Sequence, residues 1–245
     1  MVIFINPKTI HYCWFGKSEK PKLVLKCIDS WRKFLPDFEI KEWNENCFDI
    51  NCNKYVKQAY DCKKYAFVSD YARFWVLNNF GGLYFDTDVE VIKPFGDLLS
   101  NDAFAGHETD DFVAPGLVLW SKNKGNTIIG EMLHKYANIE FIKNDGSFNT
   151  LTVCVYFTEV LKKHGFVRGN ILQKCGDFTI YPIDWFCPFN DLTGLLKITE
   201  NTAAIHWYHK TWMSKRQVYK NKFTRIIHRV FGVYFFLNLK NKIKK

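Results

Sequence analysis

Two aspartates, Asp86 and Asp88, stand two positions apart directly after the apolar segment Leu83–Phe85. If the chain stays extended from Asp86 to Asp88, the two side chains point the same way and both carboxylates converge on one spot. Two hard oxygen donors at the end of a strand form an open site for Mg²⁺ or Mn²⁺, with positions left for water and phosphate oxygens. An Asp-x-Asp is common in solvated turns, but the apolar strand and the Gly-Gly pair before it favour the metal site.

A second pair of charged residues, Asp70 and Arg73, lies within a predicted helix, Tyr65–Phe80. Positions i and i+3 share one face of a helix, and on a solvated face such an ion pair contributes less than about 1 kcal/mol to stability. The neighbouring positions are apolar: Phe67, Val68, Phe74 and Trp75. The pair is therefore expected to be partly buried, where a fork-shaped guanidinium can bind phosphate or sugar hydroxyls.

The elements that must hold these residues alternate between strand and helix. Apolar patterns predict strands at Thr9–Trp14, Phe38–Trp43, Leu83–Phe85, Val89–Ile92, Val113–Trp120, Thr179–Ile183 and Thr202–Trp207. They predict helices at Leu23–Phe34, Tyr65–Phe80, Asn126–Tyr136 and Asn149–Lys163. The alternation favours an α/β fold with a Rossmann-like, mostly parallel central sheet flanked by helices.

The composition of the 245 residues is that of a globular protein, with 47% hydrophobic and 24% charged residues, which excludes disorder as the main state. The net charge of +9 is concentrated at the end of the chain, because residues 215–245 contain ten Lys and Arg and no Asp or Glu. The body, residues 1–214, is close to neutral and carries no RNA-binding motif. We therefore expect no nucleic acid partner.

The basic tail, residues 215–245, has the pattern of an amphipathic helix. Apolar residues recur at helical spacing: Tyr219, Phe223, Ile226, Ile227, Val230, Tyr234 and Leu237. Lys222, Arg225 and Arg229 lie on the other side. Such a helix either lies in a membrane interface with its bases on anionic headgroups, or packs on the body with its bases solvated. We favour binding to an anionic membrane surface.

The eight cysteines form no Cys-x-x-Cys pair and no Cys/His spacing suited to zinc. The first apolar run, Val2–Ile5, is too short for a signal peptide. The longest apolar stretch, Val230–Leu237, is far shorter than the roughly 20 residues that span a bilayer. We therefore expect free thiols in a reducing cytosol and, with the tail, a cytoplasmic protein peripheral on the inner face of the cell membrane.

The charged pairs belong to a longer pattern, S-D-x-x-R at 69–73 followed by G-G-x-Y-x-D-x-D at 81–88. This pattern resembles the sugar-nucleotide core of glycosyltransferase family 32, which includes bacterial capsule and lipopolysaccharide enzymes, yeast α-mannosyltransferases and, more distantly, large glucosylating toxins. P-K-T-I-H-Y-C-W-F-G at 7–16 resembles the opening strand of that family. A-I-H-W-Y-H-K-T-W at 204–212 is similar to its closing segment, with Trp207, Lys210 and Thr211 in place of His, Gly and Ser.

The resemblance implies a GT-A glycosyltransferase domain over residues 1–214, followed by the tail. It further implies a retaining, divalent-metal-dependent transfer of a hexose from a nucleotide diphosphate sugar, with UDP-sugars favoured as donors. The acceptor would be an oligosaccharide or a lipid-linked glycan in surface polysaccharide synthesis. Retention without an evident carboxylate nucleophile favours front-face attack, in which the leaving phosphate takes the acceptor proton.

For the donor, the resemblance implies that Trp14 stacks on the nucleotide base, and that His11 on the same strand is mainly structural. Asp70 and Arg73 would hold the sugar hydroxyls and the linkage to phosphate, and Tyr84 would belong to the same donor site.

For the metal, the resemblance implies that Asp88 is the direct ligand, while Asp86 reaches the ribose and a metal-bound water. His206 would contact the metal or the diphosphate. Thr211 and Trp212 would close a lid over the leaving group.

Two other interpretations stay open. Phe85–Val89 also fits the Asp-x-Asp-x-Val motif of haloacid-dehalogenase phosphatases, with Asp86 as nucleophile, although that motif belongs on a first strand. A non-catalytic homologue that binds membranes or glycans would keep the same fold. Hydrolysis of, or transfer from, a sugar nucleotide separates these classes.

Overall fold

The computed structural model describes residues 8–209 and 224–232. The strands are β1 (Thr9–Cys13), β2 (Glu39–Trp43), β3 (Gly82–Tyr84), β4 (Val89–Val91), β5 (Ala103–His107), β6 (Val113–Ser121), β7 (Gln173–Cys175), β8 (Phe178–Tyr181), β9 (Phe189–Asn190), β10 (Leu195–Leu196) and β11 (Ala204–His206). The α-helices are α1 (Lys22–Phe34), α2 (Lys54–Asp61), α3 (Tyr65–Phe80), α4 (Thr127–Ala137), α5 (Val153–Lys163) and α6 (Ile183–Phe186). A 3-10 helix covers Gly96–Ser100, and residues 224–231 of the tail are helical.

Seven strands within residues 8–209 form the central sheet, in the order β2-β1-β3-β6-β5-β8-β7. β1 pairs in parallel with β2 and β3, and β5 pairs in parallel with β8, whereas β6 and β7 are antiparallel to their neighbours. Five of the seven strands therefore run in the same direction, which confirms the predicted α/β fold with a mostly parallel sheet. β4 and β11 form a separate antiparallel ribbon, and β9 and β10 form another.

Helices cover both faces of the sheet because successive strand residues alternate between two hydrophobic clusters. Leu83 and Phe104 belong to one cluster with side chains of α1 and α6. Tyr84 and Ala105 belong to the other, with side chains of α2, α3, α4 and α5. A strand buried on both faces reads as a continuous apolar run, which is the pattern of the central strands here.

α3 lies inside the protein rather than on its surface. Its buried residues occur on several sides of the helix: Val68, Tyr71, Ala72, Arg73, Phe74, Val76 and Leu77. The helix ends where predicted, since the Gly81 N–H donates to the Leu77 carbonyl at 2.8 Å with Gly81 at φ +66°. Polar side chains on α3 are consequently placed in a poorly solvated environment.

His11 and Gly82 fix the start of β3. The buried His11 ring accepts at Nδ1 from the Trp43 indole N–H (3.2 Å), which leaves Nε2 to donate to the Gly81 carbonyl (3.1 Å). Burial lowers the pKa of His11 to about 4, so the ring is neutral. Gly82 has φ +96°, and a Cβ there would lie 2.7 Å from the Thr9 carbonyl oxygen. Only glycine allows β3 to approach β1 this closely.

Several elements differ from the sequence predictions. α2 and β5 were not predicted; β5 consists of small or fully buried residues without alternation. The helix predicted from Asn149 begins at Val153, after an extended Thr152 N-cap. β8 ends at Tyr181 because Pro182, which has no N–H to donate, follows it as the N-cap of the short helix α6. All eight cysteines are free, as predicted.

Across the residues that the structure covers, none of the helices combines the length and the apolar character needed to cross a bilayer.

We predict that Gly82→Ala destabilises the protein by about 3 kcal/mol or more, because it adds a steric clash with β1 to the strain of a positive φ. Urea denaturation monitored by circular dichroism measures the loss. Gly125→Ala is the matched control, since Gly125 has φ +74° but open space around its Cβ, and it is expected to cost only about 1 kcal/mol. Equal losses for the two variants would contradict the clash.

Candidate active site

The candidate site lies along the edge of the sheet where its parallel strands end. β1, β2 and β3 run in the same direction, and β5 runs with them because β3 and β5 both pair antiparallel with β6. Residues that follow these strands therefore meet at one edge, the usual place for ligands in such sheets. They are Trp14 after β1, Asn44 after β2, Asp86 after β3 and Glu108 after β5.

Arg73 is the buried cation at this edge, with 3% of its surface exposed. Its Nη2 lies 2.9 Å from Asp70 Oδ1 and 3.1 Å from Asp86 Oδ1. Its Nε–H donates to the Ser69 carbonyl at 3.2 Å, and Tyr84 donates its hydroxyl to Asp86 Oδ1 at 3.1 Å. The structure thus brings together four of the predicted site residues, and the charged pair on α3 is buried rather than solvated.

One guanidinium between two carboxylates does not neutralise both. Burial raises the pKa of Asp70 to about 7, against the lowering effect of Arg73 and with a further increase from Asp86. Burial also raises the pKa of Asp86; Arg73 opposes this and Asp88 adds to it. The cluster has an excess of negative charge in a poorly solvated place, which favours binding of a cation or of hydroxyl groups.

Two tyrosine hydroxyls lie near Asp70. Those of Tyr55 on α2 and Tyr136 on α4 are buried and have no hydrogen-bond partner among the described residues. Burial raises the pKa of each tyrosine, and the charge of Asp70 raises it further. Buried polar atoms normally have partners, so these hydroxyls are available to a ligand hydroxyl or to ordered water.

Asp88 faces a different set of partners from Asp86. The chain turns at residues 87–88, and the Val89 N–H donates to the Asp86 carbonyl at 3.1 Å. The condition of an extended chain from Asp86 to Asp88, on which the convergence of the two carboxylates rested, is therefore not met. Asp88 Oδ1 lies 3.1 Å from His206 Nε2, and Oδ2 accepts from the His209 N–H at 2.8 Å.

Asp88 and His206 form an ion pair. Burial raises the pKa of Asp88, but the charge and hydrogen bond of His206 and the His209 N–H outweigh it and bring the pKa to about 2. Burial lowers the pKa of His206, yet Asp88 takes it well above the usual value. Asp88 is consequently ionised at neutral pH, whereas Asp70, with a pKa of about 7, is only partly ionised there.

The donor set suits a hard cation. Carboxylate oxygens, as in Asp86 and Asp88, are ligands that Mg²⁺ and Mn²⁺ prefer. In the described part of the chain, no group of three or more His, Cys, Asp or Glu side chains could hold a metal by itself. Mg²⁺ is commonly held by one or two carboxylates together with substrate phosphates and water. The residues therefore fit a cation that shares its ligands with a diphosphate.

A cavity of about 400 Å³ opens beside Trp14, at the ends of β1 and β2. Its other lining residues are polar: Lys17, Ser18, Lys20, Glu42, Asn44, Glu45 and Asn46. The Trp14 indole N–H donates to the Ser18 carbonyl at 2.7 Å, and the Lys20 ammonium lies 5.9 Å from the ring centroid. The indole is held with part of its surface facing a polar cavity, an arrangement suited to stacking on a base.

Gly116 on β6 supports Asp86, and sequence analysis did not single it out. The Asp86 N–H donates to the Gly116 carbonyl at 2.9 Å, and a Cβ on Gly116 would lie 2.0 Å from Asp86 Oδ2. Any side chain there would displace the carboxylate. The available signal was a glycine inside an apolar strand, which marks a close approach of another group.

Tyr208 was also missed, together with its partner Glu108. Tyr208 has φ +51°, a conformation that bulky residues rarely adopt. Its hydroxyl donates to Glu108 Oε1 at 3.1 Å and lies 3.1 Å from Cys187 Sγ, and its ring centroid lies 4.1 Å from that of His206. These contacts tie the segment after β11 to the end of β5. Nothing in the sequence marked Glu108, since only the fold brings it to Tyr208.

The predicted lid residues Thr211 and Trp212 lie outside the described residues. Within the described part of the closing segment, the Trp207 indole N–H donates to Glu90 Oε2 at 2.8 Å, and the Lys26 ammonium lies 5.5 Å from the Trp207 ring. Trp207 is thus held on the body by β4 and α1.

Part of the chain matches a known family model. The family model described as a glycosyltransferase sugar-binding region containing a DXD motif matches residues 21–105, which include Asp70, Arg73, Asp86 and Asp88. Subversion of eukaryotic traffic protein A from Legionella pneumophila subsp. pneumophila, strain Philadelphia 1, is 24% identical. That alignment covers 66% of this chain and 33% of the relative, so the chain spans about a third of that protein.

Among solved structures, the fold is similar to that of the PaToxG glycosyltransferase. The TM-score is 0.51 at 21% sequence identity, over 64% of this chain and 69% of the other. The architecture is thus an α/β fold of the GT-A type, and residues 21–105 match a DXD-motif glycosyltransferase region; together they support transferase activity.

Proposed function

We propose that this chain is a retaining glycosyltransferase of the family 32 type, which transfers a hexose from a nucleotide diphosphate sugar, with UDP-sugars as favoured donors. The observation that carries the proposal is the cluster of the buried Arg73 with the partly buried Asp70 and Asp86, next to the ionised Asp88, at the sheet edge that also holds the Trp14 cavity. A sugar nucleotide consists of a base, a diphosphate and a sugar. This edge offers an aromatic face, carboxylates for a cation, and buried hydrogen-bonding groups.

A divalent cation, Mn²⁺ or Mg²⁺, held by Asp88 and Asp86 would offset the charge of the diphosphate. His206 keeps Asp88 ionised and oriented, or contacts the diphosphate itself. The hydrogen bonds of Arg73 described above use Nε and Nη2, so Nη1 can donate to a phosphate oxygen as negative charge develops on the leaving group. Asp70, with its raised pKa, binds a hydroxyl of the sugar.

We propose that the anomeric configuration of the sugar is retained through front-face attack, in which the leaving phosphate takes the proton of the acceptor. Asp70 and Asp86 are both held in ion pairs with the Arg73 guanidinium, which either would have to leave in order to act as a covalent nucleophile.

The phosphatase interpretation is not favoured. Asp86 would have to act as a nucleophile while it contacts Arg73 and accepts a hydrogen bond from Tyr84. β3, which precedes Asp86, is also the third strand of the described chain rather than the first.

A panel of nucleotide sugars with Mn²⁺, monitored for slow hydrolysis without acceptor, tests the proposal. Metal-dependent release of a nucleoside diphosphate from one donor is the expected result. Binding of every donor without hydrolysis, and without transfer to any glycan, would identify a non-catalytic homologue instead.

Asp88→Asn is expected to lower the rate by about a thousandfold or more, because it removes the ionised ligand for the cation. Initial rates at saturating Mn²⁺ measure the effect, and a thermal melt reports the stability lost with the His206 ion pair. A variant that keeps more than about a tenth of the wild-type rate contradicts the assignment.

Glu90→Gln is the matched control for this variant. Glu90 is also a partly buried acid in an ion pair, 2.7 Å from the Lys26 ammonium, but it faces α1 and Trp207. We expect this variant to keep most of the wild-type rate.

Trp14→Ala is expected to weaken binding of the free nucleoside diphosphate by about 1–3 kcal/mol, because the base loses its stacking partner. Isothermal titration calorimetry measures the change, and Trp14→Phe should retain most of the affinity. Unchanged binding by a folded Trp14→Ala protein would show that this tryptophan packs in the protein and does not bind the base.

We further propose that the acceptor is an oligosaccharide or a lipid-linked glycan of surface polysaccharide synthesis, and that the tail holds the enzyme on the cytoplasmic face of the membrane. The support is electrostatic, since each base near an anionic surface contributes about 1 kcal/mol and residues 215–245 carry ten bases and no acid. Transfer to a protein in preference to any glycan would contradict this acceptor class.

Truncation after Ser214 is expected to abolish flotation with liposomes that contain anionic lipid, while full-length protein floats at low salt and is released at high salt. Neutral liposomes serve as the control. Equal flotation of the two proteins, or none for full-length protein, rules out attachment through the tail.

A further inference from the structure

The β9–β10 hairpin carries an unusual set of solvent-exposed aliphatic residues. They are Leu192, Leu195, Leu196 and Ile198, with 54%, 55%, 42% and 55% of their surfaces exposed. Lys197 is exposed among them. Single exposed leucines need no explanation, but several on one short element are typical of an interaction surface.

The hairpin loop is held in a defined shape. Asn190 Oδ1 accepts from the N–H groups of Leu192 and Thr193, at 3.0 and 2.9 Å. The Gly194 N–H donates to the Asn190 carbonyl at 2.6 Å, with Gly194 at φ +67°. The exposure of these aliphatic side chains is therefore fixed by a hydrogen-bonded turn.

The helix at residues 224–231 binds this loop through its basic side chains. Arg225 Nε donates to the carbonyl of Asp191 at 2.9 Å, and its Nη2 lies 2.6 Å from the Asp191 carboxylate. Arg229 donates to the carbonyls of Thr193 and Gly194.

Two further contacts complete this interface. His228 Nδ1 lies 3.1 Å from the Leu192 carbonyl, so all four loop carbonyls from 191 to 194 have a partner on the helix. A Cβ on Gly194 would lie 3.1 Å from atoms of both Arg225 and Arg229, so the glycine allows the close approach.

This orientation turns an apolar side of the helix to solvent. Ile226, Val230 and Phe231 are 61%, 68% and 63% exposed, while Arg225 and Arg229 face the body. A helix that packs on its own protein normally buries its apolar side and leaves its bases in water. We call the exposed aliphatic and aromatic residues of these two elements the hairpin–helix surface: Leu192, Leu195, Leu196, Ile198, Ile226, Val230 and Phe231.

We propose that the hairpin–helix surface is the part of this protein that enters the interface of an anionic bilayer, so that the catalytic body itself contacts lipid through the hairpin. The inference rests on the membrane attachment proposed above. It adds the β9–β10 hairpin, which lies outside the tail, as a second element that contacts lipid. The positive charge of residues 215–245 favours an anionic bilayer as the partner of this surface. Arg225 and Arg229 are committed to the hairpin, but eight further bases and no acids remain in residues 215–245 to face anionic headgroups.

The test compares two double variants of the full-length chain in flotation with phosphatidylcholine vesicles containing phosphatidylglycerol. Leu195→Ser/Leu196→Ser is expected to lower vesicle binding by about tenfold or more. Val167→Ser/Leu172→Ser removes two aliphatic residues elsewhere that are at least as exposed, each at 60%, and is expected to bind like wild type. Thermal melts establish that both variants are folded.

Hydrogen exchange gives an independent readout, with slower exchange expected at residues 190–198 when vesicles are added. Wild-type flotation by the hairpin variant, without protection at these residues, overturns the proposal. So does a lipid-free dimer that the same substitutions dissociate, measured by light scattering, because the surface would then bind a second copy. Hydrolysis of a sugar nucleotide is expected to be equal in both variants and wild type, so failure of the transferase proposal would be seen separately.

Discussion

The contact of Arg73 with Asp70 and Asp86 is the interaction on which the candidate site depends. A buried charge is costly unless it is paired, and here one cation serves two carboxylates from different elements. The contact joins α3 to the end of β3, and Gly116 on β6 leaves the space in which Asp86 rests. Burial raises the pKa of Asp70 to about 7 in spite of Arg73, so this edge of the sheet is suited to a cation or to hydroxyl groups.

The residues on the two sides of this cluster differ in their chemistry. On one side, Trp14 and the polar residues after β2 surround the cavity. On the other, the segment after β11 brings His206 and the His209 N–H to Asp88, and Tyr208 holds that segment to Glu108 in a strained conformation. Backbone strain of this kind persists only where surrounding contacts over-determine it, and it concentrates at functional sites.

The path of the chain connects this site to the hairpin–helix surface. The chain leaves the hairpin after β10, passes through β11 and the segment that carries His206 and Tyr208, and returns to the hairpin at residues 224–231. The hydrogen bonds from Arg225 and Arg229 to the hairpin loop therefore join the tail helix to the hairpin. The closing segment lies between these two elements in the sequence.

The sequence by itself determined the fold class, the limits of α3 and the types of residue at the site. Hydrophobic periodicity and the Gly81–Gly82 break are local signals, and an α/β alternation has few physical solutions. The tertiary structure decided which groups the site residues contact. The turn at residues 87–88 gives Asp86 and Asp88 different partners, and β6 places Gly116 against Asp86. The pairing of Tyr208 with Glu108 and the docking of the tail helix by its arginines depend on contacts between residues far apart in the chain, which no local pattern encodes.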